Sequence, residues 1–124
     1  MQFACAISDS TQLLEAAHEA CQSAVKQLAG APADLVCVFA SPIYRTNWPE
    51  ALALLQEQLK PSVLVGCSGG GIIGGTRECE AVPALSIVAA HLPGVKLHPF
   101  AISPDELEQS EAGGFWVDKV GAMP

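Results

Sequence analysis

The sequence predicts a mixed α/β domain, and three observations support this prediction. Short apolar runs, typical of buried strands, occur throughout the first hundred residues. Between the early runs, apolar residues recur at three- and four-residue intervals, as amphipathic helices require. Two later runs are separated only by a Pro-Gly pair. We therefore expect a β-α-β-α-β start with parallel strands, followed by a β-hairpin, in a mixed sheet of two or three layers.

The chain begins with a predicted strand and a predicted helix. Residues 2–7 are a short apolar run, and residues 11–29 show the helical period. The serine and aspartate side chains at residues 8–10 are candidate helix N-caps. Gly30 is placed to end the helix.

A second strand, a second helix and a third strand follow. Residues 35–40 are apolar at both odd and even positions, which predicts a central strand covered on both faces. Asn47 is a candidate cap for a helix that should run to about Lys60, because Pro61 disfavours helical torsions at the residue before it. The third strand is predicted at residues 62–65.

The later part of the sequence predicts a hairpin. Residues 84–92 and 95–102 are strand candidates, and the Pro-Gly pair between them suits the centre of a type II turn. That pairing would place His91 and His98 on one face, about 7–8 Å apart. A metal ion is conceivable there, but no third ligand is evident, so we predict no metal site.

We predict one domain over residues 1–112, followed by an apolar tail over residues 113–124. Residues 104–111 are acidic and suit either a short helix or a solvated loop. The tail contains Phe115 and Trp116, for which the chain offers no obvious partner.

Composition excludes several classes of function. The net charge is −7 with only six Lys and Arg, which argues against a nucleic-acid partner. No apolar run approaches the roughly 18 residues of a spanning helix, so we expect no membrane insertion. Five cysteines without a C-x-x-C pair suit a reduced, cytoplasmic protein. Half of the residues are hydrophobic and 15% are charged, so we expect a partner to cover apolar surface, as in a homo-oligomer.

The most informative stretch is VLVGCSGGGIIGG, residues 63–75. Six of the eleven glycines lie within residues 66–75. Glycine at such density indicates either a structural turn or close approach of another molecule to the backbone. Residues 66–70 also fit G-x-S-x-G, the nucleophile elbow of a hydrolase, with Ser68 or Cys67 as nucleophile. An elbow is followed at once by a helix, however, and the next residues are poor helix formers.

A ligand site is predicted where the second and third strands end. In open α/β sheets, ligands lie beyond the carboxyl ends of the parallel strands. Bare N–H groups, two hydroxyls and a guanidinium suit a carboxylate there. The candidate ligand-binding residues are Ser41, Arg45, Gly66, Cys67, Ser68, Gly69, Gly70, Gly71 and Arg77.

The order of these segments resembles the N-terminal part of the FIST domain family. The resemblance covers roughly residues 2–102 and depends on LVCVFASP at 35–42, VLVGCSGGGI at 63–72 and ALSIVAA at 84–90. It implies an intracellular sensory, signal-transduction module that binds a small ligand such as an amino acid. FIST proteins usually continue into a longer N-terminal domain and a C-terminal domain, so the resemblance also implies a partial domain here, or a second FIST region as partner.

We interpret the sequence as a non-enzymatic small-ligand sensor that needs no cofactor. Two alternatives remain open at this point. One is a small hydrolase that uses Ser68 or Cys67. The other is a self-association module that pairs through an exposed sheet edge.

Overall fold

The computed structural model describes residues 1–108, 110 and 114–121. The chain divides into two compact units, Met1–Pro93 and Gly94–Pro124. The first unit contains β1 (Gln2–Ser8), α1 (Leu13–Leu28), β2 (Leu35–Ala40), α2 (Trp48–Leu59), β3 (Val63–Ser68), β4 (Gly71–Gly74), β5 (Arg77–Glu80) and β6 (Leu85–His91).

The second unit contains two short helices, α3 (Pro104–Glu108) and α4 (Phe115–Val120). Lys119 of α4 forms an ion pair of 2.6 Å with Glu106 of α3. The predicted boundary between residues 112 and 113 lies outside the described residues. In the part of the chain that the structure describes, no helix has the length and apolarity needed to cross a membrane.

The prediction of a mixed α/β fold is confirmed. Four strands form one sheet in the order β1-β6-β2-β3, and β4 pairs with β5 in a separate hairpin. β6 is antiparallel to both β1 and β2, whereas β2 and β3 are parallel. β1, β2 and β3 therefore run in the same direction, with β6 inserted between the first two.

The predicted hairpin of residues 84–92 with residues 95–102 is wrong. β6 pairs with β1 along one side and with β2 along the other, so both of its hydrogen-bonding edges are used. No edge is left for residues 95–102, which form no strand. The Pro-Gly pair lies beyond the end of β6 and opens no hairpin, and the predicted pairing of His91 and His98 is lost with it.

α1 and α2 pack on one face of the sheet because their apolar residues lie on one side. The helix-facing residues of β1, β2 and β6 join them in one core. The buried residues of α1 and α2 are Leu13, Ala16, Ala17, Ala20, Cys21, Ala24, Leu28, Ala51, Leu55 and Leu59.

Asn47 occupies the N-cap position of α2 as predicted, but the predicted side-chain capping bonds do not form. The residue at the N-cap of α1 is Gln12, and that of α2 is Asn47, and neither makes a side-chain cap hydrogen bond. The Ser8 and Ser10 hydroxyls instead bond to Glu19 and Glu15 and accept nearby backbone N–H groups. They therefore order the turn before α1 rather than cap it.

The opposite face of the sheet is apolar and largely open. Phe39 is 40% exposed and Val65 47% exposed, although both belong to strands with apolar sequences. The prediction that β2 is covered on both faces is therefore wrong, because both helices pack on the same side. The β4–β5 hairpin covers one end of this face, where Ile72 packs against Ile7.

The outer edge of β1 is closed by a side chain. The Gln27 amide donates to the Cys5 carbonyl at 2.9 Å and accepts the Cys5 N–H at 3.2 Å. These are the two bonds that a neighbouring strand would make at this residue. Gln27 of α1 therefore blocks the middle of this edge.

We expect Gln27→Ala to lower the free energy of unfolding by about 1 kcal/mol, since two backbone groups lose their partner. Gln22→Ala is the matched control, because Gln22 lies on the same helix and its amide bonds only to His18. Both substitutions change helix propensity equally, and each removes one hydrogen bond within α1, since Gln27 also donates to the Ser23 hydroxyl at 3.1 Å. Their difference therefore reports mainly the two edge contacts. Chemical denaturation measures it, and equal stabilities for the two variants would contradict the assignment.

Candidate functional site

The carboxyl ends of three strands lie along one rim of the sheet. The pairing registers align Ser8, Leu85, Ala40 and Ser68 across the sheet. The Gly69 N–H donates to the Ala40 carbonyl at 3.1 Å, which joins the residues that follow β2 and β3. The structure therefore places the start of the glycine stretch beside the end of β2.

The glycine stretch contains an extended strand, a short connection and a hairpin. Residues 66–68 complete β3, Gly69 and Gly70 connect it to β4, and Gly75 takes φ +60° in the turn before β5. An alanine Cβ at Gly66 would overlap the carbonyl oxygen of Val38, so β2 and β3 need glycine there. At Gly70 no atom lies within 4 Å of such a Cβ. The chain itself therefore leaves the space at Gly70 unfilled.

β3 is an edge strand, and half of its backbone N–H groups face outward. Val63 and Gly69 donate to carbonyls at the two ends of β2, at 3.0 and 3.1 Å. Since successive N–H groups of a strand point to opposite sides, those of Leu64, Gly66 and Ser68 point away from β2. In the described part of the chain no strand pairs with this side. We call these outward-facing groups the β3 edge.

A pocket of about 390 Å³ lies between β3 and α2. Gly66 contributes no side chain to it, and Trp48 and Leu52 of α2 form the opposite wall. This β3–α2 pocket is within the lower range for small-ligand sites. Its lining residues are Val38, Trp48, Leu52, Leu64, Val65, Gly66, Cys67 and Ser68.

Tyr44 supports one wall of this pocket. The Trp48 indole N–H donates to the Tyr44 carbonyl at 3.2 Å, and the buried Tyr44 hydroxyl donates to the Ser10 carbonyl at 2.5 Å. Burial, with further contributions from Asp9 and Glu19, raises the pKa of Tyr44 to about 12. The loop after β2 is thereby tied to the loop after β1.

Of the predicted site residues outside the glycine stretch, Ser41 and Arg77 bond to other parts of the chain, whereas Arg45 is exposed. Ser41 is 2% exposed, and its hydroxyl accepts the Ile43 N–H while its N–H donates to Ala84. Arg45 is exposed. Arg77 forms an ion pair of 2.6 Å with Asp9, and this contact raises the pKa of the guanidinium. Ser41 and Arg77 are thus engaged by other parts of the chain.

The surroundings of Gly71 are acidic. A Cβ built at Gly71 would lie 3.7 Å from a carboxylate oxygen of Glu80 and 4.0 Å from one of Glu78. These carboxylates favour a cationic group at the β4 end of the stretch and oppose a purely anionic ligand.

Sequence reasoning missed the helical wall of the pocket. Neither Trp48 nor Leu52 is among the candidate ligand-binding residues that the sequence predicts. Their spacing of four residues on a helix that joins two parallel strands could have indicated that both lie above β3.

The structural context differs from that of a hydrolase elbow. The elbow places its nucleophile at a sharp turn from a strand into a helix. Here Ser68 ends β3, and β4 begins at Gly71. Among the described residues, no group of three or more His, Cys, Asp or Glu could hold a metal ion. All five cysteines are free.

The family of the chain follows from comparison with known proteins. The family model of the FIST N domain matches residues 34–116, which include β2, β3 and the whole glycine stretch. The chain therefore belongs to the FIST N domain family, a sensory family of signal transduction.

Two curated relatives come from Mycobacterium tuberculosis. Uncharacterized proteins of the strains CDC 1551 and H37Rv are each 30% identical to this chain over 93 residues. The match covers 75% of this chain and 24% of each relative, so the chain spans about a quarter of their length. No solved structure matches.

We expect Gly66→Ala to lower the free energy of unfolding by about 2 kcal/mol or more, because its Cβ overlaps backbone that cannot move freely. Gly70→Ala should change it by less than about 0.5 kcal/mol, since the site is open. Urea denaturation of both variants measures the difference. A fully tolerated Gly66→Ala would contradict the close approach of β2 and β3.

The chain has one tyrosine, so its phenol can be titrated directly by ultraviolet absorbance. We expect ionisation of Tyr44 near pH 12 rather than near 10, the ordinary value. Because the unfolded chain loses this proton first, stability should fall as pH rises from about 10 to about 12. A midpoint near 10 in the folded protein would contradict the buried hydrogen bond.

Proposed function

We propose that this domain is a non-enzymatic sensor that binds an amino acid or a similar small carboxylate in the β3–α2 pocket. The observation that supports it is the juxtaposition of an apolar pocket with outward-facing backbone N–H groups. The pocket includes Gly66 and Ser68, whose N–H groups lie two residues apart on the β3 edge.

The two ends of such a ligand suit different parts of the site. The outward N–H groups of Gly66 and Ser68 lie about 6.6 Å apart on an extended strand, so a carboxylate would accept from one of them at a time. The Ser68 hydroxyl is a further donor in the same pocket, and the exposed Arg45 lies three residues before Trp48 in the sequence. An apolar ligand side chain would contact Trp48 and Leu52. The ammonium group would be favoured by the carboxylates of Glu78 and Glu80 beside Gly71.

The predicted site residues take different roles in this proposal. In this proposal the backbone of residues 66–71 and the Arg45 side chain contact the ligand directly. Ser41 and Arg77 act indirectly, because their polar groups already hold the loops that surround the rim. We place the protein in the cytoplasm, in keeping with five free thiols.

A thermal-shift screen against the twenty standard amino acids tests the proposal. Binding at a hundredfold excess over Kd adds about 2.7 kcal/mol, so Tm should rise by several degrees for at least one amino acid. Leu52→Glu should abolish this rise, because a carboxylate then stands in the pocket wall.

Leu14→Glu is the matched control. Leu14 is an exposed leucine on α1 and lies outside the β3–α2 pocket. It should retain the full rise in Tm. No rise for any amino acid, or an equal rise in both variants, would refute binding in this pocket.

A further inference from the structure

The two edges of the four-stranded sheet are treated differently by the fold. Gln27 closes the centre of the β1 edge with two hydrogen bonds. The β3 edge has no such side chain among the described residues. Residues 63–68 also contain neither a charge nor a proline, the usual means of preventing strand addition.

We propose that β3 pairs antiparallel with β3 of a second copy of this chain, about a two-fold axis at Gly66. In this register Gly66 lies opposite Gly66 of the second copy, and Leu64 lies opposite Ser68. Each of the three outward-facing residues then exchanges both backbone hydrogen bonds with its counterpart. Shifting the axis by one residue leaves only two such pairs, so the register centred on Gly66 is the most favourable.

A second copy is the occupant that the strand itself favours. Two-fold pairing needs a surface that is complementary to itself, and an uncharged strand with hydrogen-bonding residues at 64, 66 and 68 has this property. Val65 is 47% exposed and would lie beside Cys67 of the second copy on the open face of the sheet. Pairing therefore covers apolar surface and satisfies edge N–H and C=O groups together.

Pairing would use the N–H groups of Gly66 and Ser68 that the proposed ligand also uses. Ligand and second copy should therefore compete, a consequence that rests on the proposed function. Dimerisation itself is measured without added amino acid, and ligand binding is measured by thermal shift. The failure of one proposal is therefore distinguishable from the failure of the other.

Val65→Cys tests the register. Non-hydrogen-bonded antiparallel pairs have Cα atoms about 4.5 Å apart, which suits a disulfide. With oxidised glutathione, Val65→Cys should form a covalent dimer through Cys67 of the second copy, seen on a non-reducing gel. Adding Cys67→Ser should remove most of the dimer, and Val88→Cys, on the same face but on an inner strand, should not form it.

Light scattering of the unmodified chain tests the association directly. We expect a dimer that dissociates on dilution, and a monomer for Ser68→Pro, which removes one outward-facing N–H. Circular dichroism checks that this variant keeps its fold. A monomer of the unmodified chain at high concentration would overturn the proposal. So would a dimer that Ser68→Pro leaves intact and that Val65→Cys fails to cross-link.

Discussion

The insertion of β6 between β1 and β2 is the constraint on which the rest of the sheet depends. β6 is antiparallel to both neighbours, so it allows β1 and β2 to run in the same direction without pairing. It thereby places β1 at one edge and leaves β3 at the other. The three carboxyl ends at one rim, the open edge and the pocket beside it all follow from this arrangement.

Local signals in the sequence were sufficient for the helices and for the neighbouring parallel strands. The helical period over residues 11–29 corresponds to α1, and residues 35–40 coincide with β2. The pairing of β6 was not predictable in this way, because it joins residues far apart in the chain. The nearby Pro-Gly pair offered a local alternative, but β6 pairs with β1 on one side and with β2 on the other, which leaves no edge for that hairpin. The predicted capping bonds of α1 do not form, because the Ser8 and Ser10 hydroxyls bond to carboxylates of that helix instead.

The proximity of the residues that follow β2 and β3 was predictable, but the pocket between β3 and α2 was not. Adjacent parallel strands must end at the same rim, so the proximity of residues after β2 and β3 followed from the fold class. The pocket depends on a side chain that is missing at Gly66 and on helical residues that are only partly buried, and neither feature has a distinct periodic signal. The membership in the FIST N domain family agrees with a sensory role, while the chain spans only about a quarter of its curated relatives.

The amide of Gln27 has a consequence for the size of any assembly built by strand addition. Once two β3 strands have joined, the eight-stranded sheet ends in a β1 strand on each side, and both of those ends are closed by a glutamine. Strand addition at either end would first have to displace Gln27 from Cys5, which disfavours growth beyond two copies. One polar side chain on a helix thus disfavours larger assemblies.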